Sequence, residues 1–329
     1  MLEDGEISVA PIYQRKFRWK NDQCSRLVES VLLGIPVPSL FMATNQSGSW
    51  EAVDGVQRLS SLAKFAGNEK LREKLQVGDE LILTGLQKLT EFEGLKYREL
   101  PSNIQFHLRT RPLKVITLND KSDSVVRFDL FERINTGGVA LSDQEIRDCV
   151  YQGEFAQKLE ELAKVADFKK VVKLTPLQQD DGTAEECVLR FFAYLDNYKT
   201  FDHSVKVFLN GYMSAADKKF DYAKMGQIFQ KTFSELAKAF PSGLTRPGEG
   251  RARRGNTPLN LFEGVSVGAA LALKQVDSLV LKDLALWMAS PTLKEFTTGA
   301  TNSRSAVKGR IEYCRDHFLG KKYVRPSAN

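Results

Sequence analysis

The sequence is poor in the residues that build metal sites and disulfide frameworks. Its four cysteines form no C-x-x-C pair and lie far apart, at Cys24, Cys149, Cys187 and Cys314. This spacing excludes a zinc knuckle and a secreted disulfide framework, which need closely spaced or regularly paired thiols. We therefore expect these cysteines to be small apolar or half-exposed free thiols.

Long apolar runs are also missing. No stretch of roughly 18 consecutive apolar residues occurs, which is about the length that a membrane-spanning helix needs. The opening residues MLEDGEISVA do not form a positive region followed by an apolar run, the pattern of a secretory signal. These absences predict a cytoplasmic protein without a membrane partner.

What the sequence contains is the composition of an ordinary globular protein. Its 329 residues are 42% hydrophobic and 27% charged, which is enough for two domains with separate cores. The net charge of +6 is uneven: residues 1–150 carry 20 basic and 21 acidic side chains, which leaves 27 and 20 for residues 151–329. An anionic polymer would meet the second half, although basic residues kept for solubility explain this excess equally well.

The hydrophobic periodicity changes near residue 150. Before it, short apolar runs bounded by turn residues predict strands, namely SLFMAT, WEAV, LILTG and LKVITLN, interspersed with amphipathic helices. After it, the segments carry helical periodicity alone. We predict an α+β protein in which an N-terminal domain with a small mixed sheet (residues 1–150) is followed by an all-α helical domain (residues 151–329).

The segment WEAVDGVQRLSSLAKF, residues 50–65, is the strongest candidate for a functional centre. It predicts a strand, a tight turn at Asp54 and Gly55, and an amphipathic helix. Such a turn directs the unpaired N–H groups of the helix towards one point, beside Gln57 and Arg58. A structural explanation is also available, in which Asp54 is only a helix N-cap, Gly55 only a turn residue and Arg58 a surface ion-pair donor.

The segment PIYQRKFRW near the start combines aromatic and guanidinium groups. Tyr13 and Trp19 could stack on bases while Arg15 and Arg18, with Gln14 beside them, meet phosphates. The same residues could instead cover the edge of the core and pair with carboxylates.

Three segments in order, PIYQRKFRW, VDGVQRLSSL and FERINTGGVALSDQEIRD, resemble the motif set of the GmrSD-type N-terminal domain family. The motifs lie within about residues 5–150, and the helical remainder is similar to that of single-module members. The resemblance implies a fold like those of ParB and sulfiredoxin. It also implies a nucleotide-binding site at the D-G-Q-Q-R motif, with Mg²⁺ accompanying the nucleoside triphosphate.

Carried onto this chain, the motif assigns Asp54, Gly55, Gln57 and Arg58 to the phosphates. The catalytic candidates are Asp54, Gln57 and Arg58, and Asp54 would also hold the metal. Val56 stands where the family usually has glutamine. This change would weaken hydrolysis of the nucleotide more than its binding. Alternatively, the valine side chain points into the core. The turn at residues 135–137 resembles a second wall of the nucleotide pocket, formed by Asn135, Thr136 and Gly137.

The family's nuclease members carry an HNH module, and this chain does not contain its pattern. Its three histidines lie outside any H-x-x-P or H-N-H context, at His107, His203 and His317. We therefore expect a stand-alone member that is a nucleotide-binding and NTP-hydrolysing, DNA-associated module of a prokaryotic anti-phage defence or restriction system, with an effector protein as a further partner. The alternatives are a DNA- or partner-binding module without turnover and, more weakly supported, a DNA-nicking endonuclease.

Overall fold

The structure is a computed structural model, and it describes residues 2–9, 17, 19–44, 48–118, 142–151, 153–216, 220–246, 255–299 and 301–325. The chain divides into two compact units, residues 1–141 and 142–329. The first contains strands and helices and the second is helical, which confirms the predicted α+β class. The helix that begins at Asp143, which the change in periodicity placed in the first domain, belongs to the second unit.

The first unit is built on a small mixed sheet of four strands in the order β1-β3-β2-β4. The strands are β1 (Ile7–Ser8), β2 (Leu40–Thr44), β3 (Trp50–Asp54) and β4 (Val115–Leu118). β2 and β3 form the antiparallel hairpin predicted from SLFMAT and WEAV, while β1 pairs with β3, and β4 with β2, in parallel. The sheet therefore brings the C-terminal end of β3 beside the start of β2, where Phe41 pairs with Asp54.

Four α-helices accompany this sheet in the described part of the unit: α1 (Asn21–Leu33), α2 (Val56–Ala66), α3 (Glu69–Leu75) and α4 (Ser102–Thr110). α2 contributes to two apolar clusters. Leu59 packs with Leu40 and Met42 of the sheet, whereas Phe65 packs with the buried face of α1 and with leucines of the segment after α3. The start of α2 is thus held by packing on both sides.

The strand predicted at residues 81–85 is wrong, because this segment joins no strand of the sheet and its backbone hydrogen bonds are isolated ones, such as those that Leu83 exchanges with Leu95 and Gly94. Leu81 and Leu83 are buried as in a strand, but carboxylates satisfy the N–H groups that follow. Glu29 Oε1 accepts from the N–H groups of residues 87, 88 and 89 at 2.6–2.9 Å. Burial alone would raise the pKa of Glu29, and these three hydrogen bonds lower it below its ordinary value.

The second unit contains eleven α-helices among its described residues, and this confirms the predicted helical region. They are α5 (Asp143–Val150), α6 (Glu154–Ala163), α7 (Ala166–Val171), α8 (Pro176–Asp180), α9 (Thr183–Asn197), α10 (Val205–Ala216), α11 (Tyr222–Ala239), α12 (Leu259–Leu273), α13 (Leu284–Met288), α14 (Pro291–Thr297) and α15 (Arg304–Phe318). A capping box begins α5, since Ser142 and Glu145 exchange hydrogen bonds of 3.0 and 2.8 Å. None of the helices in the described part of the chain is both long and apolar enough to cross a membrane.

α12 and α15 approach each other closely at two glycines of α12. A Cβ atom built on Gly268 would lie 2.7 Å from Cβ of Cys314 and 2.9 Å from the carbonyl oxygen of Ile311, and one on Gly264 would lie 3.1 Å from the carbonyl oxygen of Arg310. Distances below about 3 Å are not tolerated between such atoms, so the absence of a side chain at Gly268 sets the spacing of this helix pair.

Five charged side chains form an alternating chain of ion pairs across the same unit: Arg147, Glu186, Arg190, Glu263 and Arg310. Arg147 Nη1 lies 2.9 Å from Glu186 Oε2, and Arg190 Nη2 lies 2.6 Å from Glu186 Oε1. Arg190 Nη1 lies 2.5 Å from Oε1 of Glu263, whose Oε2 pairs with Arg310. This alternating chain joins α5, α9, α12 and α15, and it is buried at both ends.

Asp148, next to this chain, makes the stability of the protein depend on pH. Burial raises the pKa of its carboxyl from 3.8 to about 8, against the opposing effect of a hydrogen bond from Gln144. Between these values the folded protein holds a proton that the unfolded chain has released. The free energy of unfolding should therefore fall as the pH rises from about 4 to about 8.

Asp148→Asn should flatten this decline, because asparagine does not titrate. Urea unfolding at about pH 5 and about pH 8 measures the difference. Asp277→Asn, at an exposed position, is the matched control and should keep the decline of the unmodified protein. The same decline in Asp148→Asn as in the control would contradict the assignment.

Candidate functional site

The predicted turn between strand and helix is present, with a geometry that requires glycine. Asp54 is the last residue of β3, and α2 begins at Val56. Gly55 between them has φ of +99°, and a Cβ atom at this position would lie 2.2 Å from Cδ2 of Leu40. Both the backbone conformation and the space therefore exclude a side chain here. Asp54 lies within the strand, and so it is not the N-cap of α2.

No side chain caps the N-terminus of α2, because its N-cap residue is Gly55. The first N–H groups of a helix have no partner within the helix and carry the positive end of its dipole. Their direction at the end of a strand matches the arrangement that binds phosphate in many nucleotide sites. The turn and the start of α2 thus have the arrangement that the sequence predicts, and the binding of an anion there stays a prediction.

Arg58 is engaged by the protein. Its Nη2 lies 2.6 Å from Oδ2 of Asp54, and its Nη1 donates to the backbone carbonyls of Pro38 and of Ser39, the latter at 3.2 Å. Its side chain is 12% exposed. Arg58 therefore fixes Asp54 against the start of β2, and it would have to exchange one of these acceptors in order to contact a phosphate. The expectation that it pairs with a carboxylate is met, and its role towards phosphate stays a prediction.

Asp54 is the more accessible member of this pair, with a side chain that is 40% exposed. Its Oδ2 accepts from Arg58, and its Oδ1 carries no hydrogen bond from the described residues. Mg²⁺ in nucleotide sites is usually held by one or two carboxylates together with phosphates and water. Asp54 fits such a role, whereas no three acidic, histidine or cysteine side chains of the described residues come together as a metal site.

Gln57 and Val56 face the protein interior. Gln57 is buried, and its Oε1 accepts from the N–H of Trp19 at 3.2 Å, which ties the helix to the residues before α1. The side chain of Val56 packs against the apolar cluster of the sheet, as in the alternative in which it points towards the core. The hydrolytic role of Gln57 stays a prediction.

Several predicted site residues lie outside the described residues. These are Tyr13, Gln14, Arg15 and Arg18 of the DNA-binding segment, and Asn135, Thr136 and Gly137 of the second wall. The described part of the site is thus the turn alone, with its surroundings in β2 and α1.

The three histidines are placed as the sequence suggests. His203 is exposed beside Asp202, and His107 is exposed on α4. His317 stacks on Trp287 with ring centroids 5.2 Å apart, and burial lowers the pKa of its imidazole. None of them belongs to a group of three or more metal-ligating side chains among the described residues.

The carbonyl groups of Pro38 and Ser39 were missed by sequence reasoning. They shape the site by accepting from Arg58, but a backbone carbonyl carries no residue-type signal. Only the pairing of β2 with β3 brings them beside a residue about twenty positions later, so no local pattern could have indicated them.

These features define a class, an α+β domain in which a glycine turn joins the end of a strand to a helix without a side-chain cap, and an aspartate of the strand pairs with an arginine of the helix. Residues 1–152 match the family model described as GmrSD restriction endonuclease, N-terminal domain. The resemblance carried by the three motifs is confirmed. Comparisons with curated proteins and with solved structures gave no match, so the likeness to ParB and sulfiredoxin stays a prediction.

Proposed function

We propose that this chain is a nucleotide-binding, DNA-associated module of a prokaryotic anti-phage defence or restriction system, acting in the cytoplasm. The family of residues 1–152 is named for a restriction endonuclease, which supports the biological setting. The observation that carries the nucleotide site is the uncapped first turn of α2 beside the exposed carboxylate of Asp54. A nucleoside triphosphate has the phosphates that such a turn binds.

In the proposed mechanism the N–H groups at the start of α2 bind phosphate oxygens. Asp54 holds the metal or orients the attacking water, and Arg58 keeps the Asp54 carboxylate in position through their 2.6 Å ion pair. Gln57 anchors the helix to the segment before α1. A bound Mg²⁺ ion would neutralise charge on the phosphates. The reaction would be hydrolysis of a phosphoric anhydride bond.

The second candidate is a binding module without turnover, and two observations favour it. Val56 replaces the usual glutamine and packs into the core, so the turn lacks one polar group that could position water. Arg58 is held by one carboxylate and two carbonyls, which leaves less of its charge for a transition state. In this case the nucleotide itself is the signal that reaches DNA or an effector protein.

Nucleotide binding and phosphate release by the full chain test the two candidates. ATP, GTP, CTP and UTP are each titrated with Mg²⁺, and malachite green measures released phosphate with and without DNA. Binding with release supports an NTPase, and binding without release supports the binding module. Absence of binding to all four nucleotides would overturn the proposed site.

The chain offers a matched control for the site. Asp54 and Arg58 form a pair four residues apart, and so do the exposed Asp22 and Arg26 of α1. Asp54→Asn and Arg58→Gln should each weaken nucleotide binding at least tenfold, whereas Asp22→Asn should leave it unchanged. Equal affinities in all of these proteins would place the nucleotide elsewhere.

A further inference from the structure

The helical unit contains a polar cavity that the proposed nucleotide site does not use. Its volume is about 490 Å³, which lies within the range of small-molecule sites. Arg190 and Glu263 of the alternating chain line it, together with residues of the segments that precede α12 and α15. Two members of the buried alternating chain thus line a cavity that is open to solvent.

The lining is rich in side-chain amides, which both donate and accept hydrogen bonds. They come from three separate segments of the unit, at Gln178, at Asn256 and Asn260, and at Asn302. Three of them already make hydrogen bonds within the protein, since Asn256 donates to Gln178 and Asn260 donates to the carbonyl of Thr297, so a polar ligand would exchange hydrogen bonds with this set.

Arg246 supplies a cation that no acid of the described chain neutralises. Its guanidinium donates only to neutral acceptors, namely the hydroxyl of Thr298 at 3.1 Å, the hydroxyl and carbonyl of Thr297, and Oδ1 of Asn260 at 3.4 Å. These contacts hold the planar group at the cavity wall. Its terminal N–H groups are thus satisfied by neutral oxygens while its positive charge has no counter-ion among the described residues, and an oxyanion would bind by taking the place of one or more of these acceptors.

The charge behind the cavity has the same sign. The alternating chain contains three guanidinium groups and two carboxylates, so its formal charge is 3 − 2 = +1. Both carboxylates are fully used, because each pairs with two arginines. A net positive charge in a buried network is costly unless an anion offsets it. Together with Arg246, the cavity and its floor therefore favour a negatively charged occupant.

We propose that this cavity binds a phosphate-bearing small molecule of up to the size of a nucleoside monophosphate. The phosphate lies on Arg246, where the charge is unpaired, and the amides contact the polar remainder of the ligand. The proposal concerns the second unit alone, so it does not depend on the function proposed for the turn at Asp54.

The full chain is titrated by calorimetry with inorganic phosphate, ribose 5-phosphate, AMP, GMP, CMP and UMP. At least one of these probes should bind, and Arg246→Gln should weaken its affinity at least tenfold. Arg246→Lys keeps the charge but loses the guanidinium donors, so its affinity for the probe should lie between those of the unmodified protein and Arg246→Gln. Arg325→Gln changes an exposed arginine paired with Glu295 and should leave binding unchanged.

Two outcomes overturn the proposal. One is absence of binding by every probe at millimolar concentration. The other is binding that Arg246→Gln leaves unchanged, including binding that Arg58→Gln abolishes, because the ligand would then occupy the turn at the start of α2. Circular dichroism and thermal melting establish that each variant is folded before it is titrated.

Discussion

Replacing Glu263 by glutamine should lower the free energy of unfolding by about 3–5 kcal/mol, the usual cost of breaking a buried ion pair from one side. Glu263 accepts from Arg190 and Arg310, and its own side chain is 1% exposed. Glutamine has nearly the same shape, so little packing is lost. Its amide removes the negative charge, and two guanidinium groups then remain buried with less compensation.

Urea unfolding at constant pH measures this loss, and Glu160→Gln is the matched control. Glu160 pairs with Lys164 on the surface of α6, with both side chains largely in water. The same substitution there should cost less than about 1 kcal/mol. A loss of similar small size in Glu263→Gln would show that the alternating chain contributes little to stability.

Gly268→Ala should destabilise the protein by about 2–3 kcal/mol through overpacking. The added methyl group would lie 2.7 Å from Cβ of Cys314 and 2.8 Å from the backbone nitrogen of Arg315. Neither atom can move without displacing α15, so the two helices would have to separate. The gain in helix propensity from glycine to alanine, about 1 kcal/mol, is smaller than this cost.

Gly211→Ala on α10 separates the effect of helix propensity from the effect of overpacking. No atom lies within 4 Å of the position that its Cβ would occupy, so only the helix propensity changes. This variant should be more stable than the unmodified protein by about 0.5–1 kcal/mol. Thermal melting of the two variants should therefore show shifts of opposite sign, and shifts of the same sign would contradict the packing argument.

The features that could be predicted from the sequence are those with local causes. The capping box at Ser142 and Glu145, the hairpin of β2 and β3 and the glycine turn at Gly55 each depend on a few neighbouring residues. The helical periodicity of the second half depends on neighbours in the same way. These local preferences persist in the folded protein because the tertiary contacts favour the same local structure.

The features that could not be predicted depend on partners far apart in the sequence. The segment LILTG has the apolar alternation of a strand, but Glu29, more than fifty residues earlier, satisfies the N–H groups that follow it. The sequence suggests a carboxylate partner for Arg58, but its two carbonyl acceptors at Pro38 and Ser39 appear only when the sheet forms. The sequence did not reveal Arg246 or the cavity that it lines.

The alternating chain also bears on how the protein can be divided for experiments. It links four helices, the first of which begins at residue 143 and the last of which ends at residue 318. Each helix contributes at least one charged side chain that pairs with an opposite charge on another helix. A fragment that stops before α15 would leave Glu263 with one arginine and expose the glycine face of α12. Expression boundaries placed between residues 143 and 318 should therefore yield aggregating products, and the helical unit should open cooperatively rather than one helix at a time.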